Sequence, residues 1–165
     1  MANEEIKDFV KMSREWVITK YKNEEDFQKD LPYEITKANG NLLLNEGITE
    51  ALKLIGGITA TAFSNANSYL GVGDSTTAAS ATQTGLQAST NKLYKAMETG
   101  YPSVTNQTIT WRSVFGASEA NFAWQEFTVA NGNSDASKNF NRKVSSQGTK
   151  TSGQVWTMDL VITLS

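Results

Sequence analysis

The 165-residue chain contains no cysteine and no histidine. Without cysteine there is no disulfide framework and no thiolate chemistry, and the sequence gives no clue to redox compartment. Without histidine the commonest general base is gone, and with it the usual zinc sites and every Ser-His or Cys-His nucleophile pair. Prolines number only 2. No apolar run approaches the roughly 18 residues of a membrane span. The opening "MANEEIKDFVKMSREW" is charged throughout and has no apolar stretch of the signal-peptide kind. Synthesis in a cytoplasm is the expectation, with no membrane partner.

Charge is also scarce. The formal net charge is −2. Residues 1–56 carry 8 basic and 11 acidic side chains, net −3, and residues 57–165 carry 7 and 6, net +1. Neither part has the Lys/Arg density of a phosphate-tracking surface, so no nucleic-acid partner is expected.

What is present is mostly strand pattern. "REWVITKY" puts Trp16, Ile18 and Lys20 on one face and Val17, Thr19 and Tyr21 on the other. "KNEEDFQKD" reads as a charged connector, "YEITK" as a second strand, and Asn39-Gly40 as a turn. "NEGITEALKLIGG" is the one helix the pattern supports, over about 46–55. Asn45 is its expected N-cap, Ile48, Ala51, Leu52 and Ile55 its apolar stripe, and Gly56-Gly57 its stop.

Beyond Gly57 the charges thin out and short alternating runs take over. "NSYLGVG", "QTITWRSVF", "ANFAWQEFTV", "FNRKVSS" and "QVWTMDLVITLS" read as strands. "NKLYKAME" fits either a helical turn or a strand. "DSTTAASATQTG" (74–85) and "ANGNSDASKN" read as surface loops. Seven or eight short strands predict a mainly β fold, an antiparallel β-sandwich or jelly-roll-like barrel with one short helix. Residues 1–13 read as an N-terminal arm and 14–165 as a single β-rich domain. Within the arm, Ile6, Phe9 and Val10 fall at i, i+3 and i+4 and form a short apolar stripe suited to a partner contact.

Few residues offer chemistry. "GVGDS" (71–75) is a Gly-x-Gly after a strand, but no helix pattern or Lys-Ser/Thr pair follows, so glycines turning the chain are the better reading. Glu119, Glu126 and Asp159 are the carboxylates a glycosidase would need at about 5–9.5 Å separation, yet nothing in the spacing ties two of them together. Solvated or ion-paired surface roles are expected instead. Arg142, Lys143, Lys138 and Lys150 form a small basic set suited to ion pairing with a neighbouring subunit or to ordinary solvation. Trp111, Phe115, Phe122, Trp124 and Trp156 are either a sugar platform or core, and alternation favours core.

One register claim follows. In "ANFAWQEFTVANG" (120–132), Phe122 and Trp124 share a face, and Phe127 and Val129 continue from the opposite one. A β-bulge at Gln125-Glu126 would return all four to a single core and leave Glu126 at a bend, at least partly exposed.

Taken together, "NEGITEALKLI", "ANSYLGVGDSTTAASATQTGLQA", "NKLYKAMETGYPSV", "TITWRSVFGASEANFAWQEFTVANG" and "NRKVSSQGTKTSGQVWTMDLVITLS" resemble a recurrent module of small virion proteins of tailed bacteriophages. The resemblance covers about three quarters of the chain. It implies a non-enzymatic structural component without cofactor or metal. The leading expectation is a capsid decoration (cement) protein on the head exterior. It would be a homo-oligomer, a trimer or another symmetric cluster, that bridges major capsid subunits through Ile6, Phe9 and Val10. A tail or fibre-associated protein is the alternative. A carbohydrate-binding module or hydrolase built on the aromatics and Glu126 is the third.

Overall fold

The computed structural model describes residues 11–165. In chain order these form β1 (Met12–Tyr21), α1 (Glu24–Gln28), β2 (Glu34–Asn39), β3 (Leu42–Leu43), α2 (Asn45–Ile55), β4 (Tyr69–Gly73), β5 (Lys92–Ala96), β6 (Ser103–Thr105), β7 (Thr108–Phe115), β8 (Glu126–Ala130), β9 (Asn141–Val144) and β10 (Val155–Leu164). Two five-stranded antiparallel sheets result, with strand orders β2-β1-β10-β7-β6 and β3-β9-β8-β4-β5. This is the mainly β sandwich expected. It has two helices among the described residues where one was predicted.

The first sheet is built on the long β1–β10 pair, in register from Met12↔Leu164 to Tyr21↔Val155. Period-2 alternation sends Trp16 and Ile18 of β1, Trp111 and Phe115 of β7, and Trp156, Met158, Leu160 and Ile162 of β10 inward. They meet Leu70 and Val72 of β4 and Phe127 and Val129 of β8 from the second sheet. Aromatic rings join the two layers edge-on: Phe115 and Trp124 at 4.8 Å, Trp124 and Trp156 at 4.9 Å. Such tilted pairs put ring edges on ring faces, where the quadrupoles attract.

The charged connector "KNEEDFQKD" folds instead as α1. Asn23 caps it, its side chain accepting from the Asp26 N–H at 2.8 Å, and Glu24, Glu25 and Asp26 sit at the positive end of the helix dipole. Phe27 packs edge-on against Tyr21 at 5.3 Å, so a single aromatic anchors a segment whose composition reads as loop. The ambiguous "NKLYKAME" is a strand, β5.

Helix α2 departs further from its pattern. Leu44, not Asn45, occupies the N-cap position, and no side chain caps the helix there. The stripe predicted for the core faces solvent: Leu52 and Ile55 are 61% and 82% exposed. Gly47 and Glu50 are the buried positions. The reason lies in what the helix packs against. A Cβ on Gly47 would sit 2.3 Å from the Phe140 Cα, so the helix backbone lies directly on the 139–140 backbone. The irregular chain around the helix presents donors at Asn139, Thr61 and Asn131, and the inward side chains are acceptors for them. Glu46 accepts from the Asn139 N–H at 2.9 Å, and Glu50 accepts from the Thr61 N–H at 2.9 Å and the Asn131 amide at 3.2 Å.

β1 begins at Met12, so Met12 and Ser13 are strand residues rather than arm. Residues 1–10, including Ile6, Phe9 and Val10, lie outside the described residues.

Candidate functional site

The register claim at 120–132 holds in its burial and fails at Glu126. Trp124, Phe127 and Val129 are fully buried in one core and Phe122 is half-buried against it. Two segments achieve this, and no bulge within one continuous strand is needed. β8 starts only at Glu126, pairing Phe127 with Val72 and Val129 with Leu70. Residues 122–125 run outside that ladder and bond elsewhere: Trp124 N–H to the Gly148 carbonyl, Gln125 N–H to the Gly73 carbonyl. The Trp124 indole N–H also donates to the Ala120 carbonyl at 3.0 Å.

Glu126 itself is completely buried, against the expectation of exposure, and so is Arg142. Arg142 Nε donates to Glu126 Oε2 at 2.7 Å, and Nη2 lies 2.7 Å from the same oxygen. Glu126 also accepts from the backbone N–H groups of Gln87 (2.9 Å) and Ala88 (2.7 Å). Arg142 Nη1 donates to the Thr77 carbonyl and the Gln83 side chain. The pair therefore pins both ends of the Ser/Thr/Ala loop that follows β4. The sequence showed that loop, and nothing in its composition showed the anchor. The glycines of "GVGDS" give way to neighbouring side chains: a Cβ on Gly73 would lie 2.5 Å from Glu126 Oε1, and one on Gly71 would lie 2.7 Å from the Thr128 methyl. They sit inside β4 and make room there; they do not turn the chain.

The other carboxylates are engaged as well. Lys95 holds Glu119 at 2.6 Å. Burial works to raise the Glu119 carboxyl, but the hydrogen bonds from Lys95 and the Gly116 N–H prevail and keep it below the ordinary range. Asp159 accepts two bonds from Arg112, at 2.6 and 2.9 Å. Each of the three has its own basic partner.

Lys150 is fully buried and donates to the Gly116 and Glu119 carbonyls and to Asn121 Oδ1, at 2.7–2.9 Å. Burial pushes its ammonium down to about 8. Lys143 reaches the Asn39 carbonyl at 2.7 Å, and Lys138 lies 3.7 Å from Glu46. The basic residues thus staple different loops and do not converge on one patch. Trp111, Phe115, Trp124 and Trp156 are core, which removes them as a sugar platform.

Among the described residues, no group of His, Cys, Asp or Glu could hold a metal ion, and no helix is long and apolar enough to cross a membrane. Two surfaces remain as candidates for binding. One is the apolar ridge of Ile48, Leu52 and Ile55 on α2, continued by Ile58, which is 62% exposed. The other is a groove of about 640 Å³ on the outer face of the first sheet. No family model, no curated protein and no solved structure matches the chain.

Proposed function

We propose that this chain is a non-enzymatic virion structural protein of a tailed bacteriophage, a decoration (cement) protein that binds the head exterior and bridges major capsid subunits. The reading starts from the sequence resemblance. The observation that supports a binding role is the ridge on α2: Ile48, Leu52 and Ile55, at helical spacing, and Ile58 just beyond the helix are exposed, and clustered exposed aliphatic side chains mark interaction surfaces. Neighbouring lattice subunits are its proposed occupant. Ile6, Phe9 and Val10 supply a second apolar contact. Many modest contacts made at once by a symmetric oligomer, a trimer at lattice junctions, would hold the protein by avidity.

Occupancy of purified heads is the test. Deleting residues 1–10, which leaves β1 intact, and separately changing Leu52→Asp should each lower binding to heads while the free domain stays folded. Unchanged occupancy in both would overturn the reading. The tail or fibre alternative gives a different picture with gold-labelled antibody, which would then decorate the tail and not the head.

A further inference from the structure

The groove on the first sheet has a definite construction. Its floor is a cross-strand row, Ile35 on β2, Thr19 on β1, Thr157 on β10 and Val114 on β7, placed side by side by the ladder registers. Two hydroxyls thus stand at the centre, flanked by two aliphatic side chains. The strand order puts the walls on opposite sides. α1 and the turn after it follow β1 and supply Phe27, Asp30 and Pro32. The chain between β5 and β6 supplies Glu98, Thr99 and Tyr101.

Both walls are fixed in place. The Tyr21 hydroxyl donates to Asp30 Oδ1 at 2.8 Å, and its ring packs on Phe27. Across the groove, the Arg112 guanidinium lies 5.0 Å from the Tyr101 ring centre and is held flat by its two bonds to Asp159. By contrast, the Thr19 and Thr157 hydroxyls and the Glu98 carboxylate have no hydrogen-bond partner among the described residues. The two threonines stand on strands and Glu98 on the connecting chain, and the fold itself does not use these side-chain groups.

The lining decides between ligand classes. The lining holds two carboxylates, Asp30 and Glu98, and one guanidinium, Arg112, whose charge Asp159 already balances, so an anion is repelled. A purely apolar ligand would cover the two floor hydroxyls and strand them without partners. A cation gains from the net charge, but Arg112 already puts a positive charge on one wall and occupies a face of Tyr101. A neutral molecule with hydroxyls on its rim and C–H groups on its ring face meets every part of the lining. The volume lies within the roughly 300–1,000 Å³ of small-molecule sites.

We propose that the groove binds a neutral saccharide, with Phe27 and Tyr101 packing on the C–H faces of its rings and Thr19, Thr157 and Glu98 bonding its hydroxyls. This site is separate from the α2 ridge and does not depend on the virion reading.

The experiment titrates the full chain with a panel of neutral hexose and N-acetylhexosamine oligosaccharides, followed by NMR shifts and calorimetry. A sulfated glycan and spermidine serve as anionic and cationic probes. Tyr101→Ala and Glu98→Gln are the groove variants; Glu98 is exposed and Tyr101 half-buried, and circular dichroism checks their folding. Ile55→Lys, on α2, is the control. The expected result is binding of at least one neutral saccharide with little salt dependence, weakened at least about tenfold by Tyr101→Ala and less by Glu98→Gln, and kept by the control. No binding across the neutral panel would overturn the proposal, as would binding that survives Tyr101→Ala in a folded variant. Salt-sensitive binding of spermidine alone would overturn it in favour of a cation site.

Discussion

Helix α2 and the loop that follows β4 invert the usual relation between polarity and burial, in opposite senses. α2 shows solvent Ile48, Leu52 and Ile55 and turns Gly47 and Glu50 inward. The loop is made of Ser, Thr and Ala, yet it is fixed by a fully buried Glu126–Arg142 pair. One cause serves both. Where irregular chain packs inside a protein its N–H groups have no ladder partner, and side-chain acceptors must be brought to them. Glu50 does this for Thr61, and Glu126 does it for Gln87 and Ala88. In α2 the acceptors displace the apolar stripe from the interior. At Glu126 the acceptor needs a counter-charge, and Arg142 provides it.

The largest effect expected from this comparison comes from Arg142→Met. It leaves a buried carboxylate without its cation and should cost about 3–5 kcal/mol in urea unfolding. Adding Glu126→Gln should restore a good part of that, because the amide still accepts from the loop N–H groups without carrying a charge. A double variant no more stable than the single one would show that the ion pair is not the source of the cost.

Gly47→Ala comes next. The new methyl meets backbone atoms of Asn139 and Phe140 that cannot swing aside, so α2 must shift. A loss of about 1–3 kcal/mol, typical of overpacking, is expected in thermal melts. A neutral result would mean that α2 does not rest on this chain.

Lys150 gives a smaller effect with a defined sign. Its folded value is pushed down to about 8, below the unfolded value of about 10.4. Between these pH values the unfolded chain binds more protons than the folded one, so stability rises as pH increases through that window. Lys150→Met should flatten the rise in Tm measured from pH about 8 to about 10. The smallest effect belongs to Ile55→Lys. At 82% exposure it should change stability by no more than about 0.5 kcal/mol. A larger loss would place the ridge against something within the folded chain and remove its reason for being a contact surface.

Much of the fold was readable because it obeys one period. Trp16 and Ile18 in β1, Trp111 and Phe115 in β7, and the even-numbered residues of β10 from Trp156 to Ile162 are inward both in pattern and in place. A two-residue repeat reports which face is buried whatever lies opposite. The sites were less readable. Glu126 stands out in the pattern as an interruption, but its burial does not, because its partners are 16 and 39 residues away and no local pattern reports them. α1 was hidden by charges that only its Asn23 cap and the Phe27–Tyr21 contact explain. The groove draws its lining from four strands, a short helix and two connecting segments, and no spacing in the chain links them.

By itself, then, the sequence determined the strand faces, the aromatic core, the helix span and the two long loops, since each follows from local composition and periodicity. The tertiary structure alone decided which way α2 faces, what becomes of Glu126, Arg142 and Lys150, and where a groove opens. Those outcomes depend on which unpaired backbone groups lie nearby in space, a property of the packed chain and not of any stretch within it.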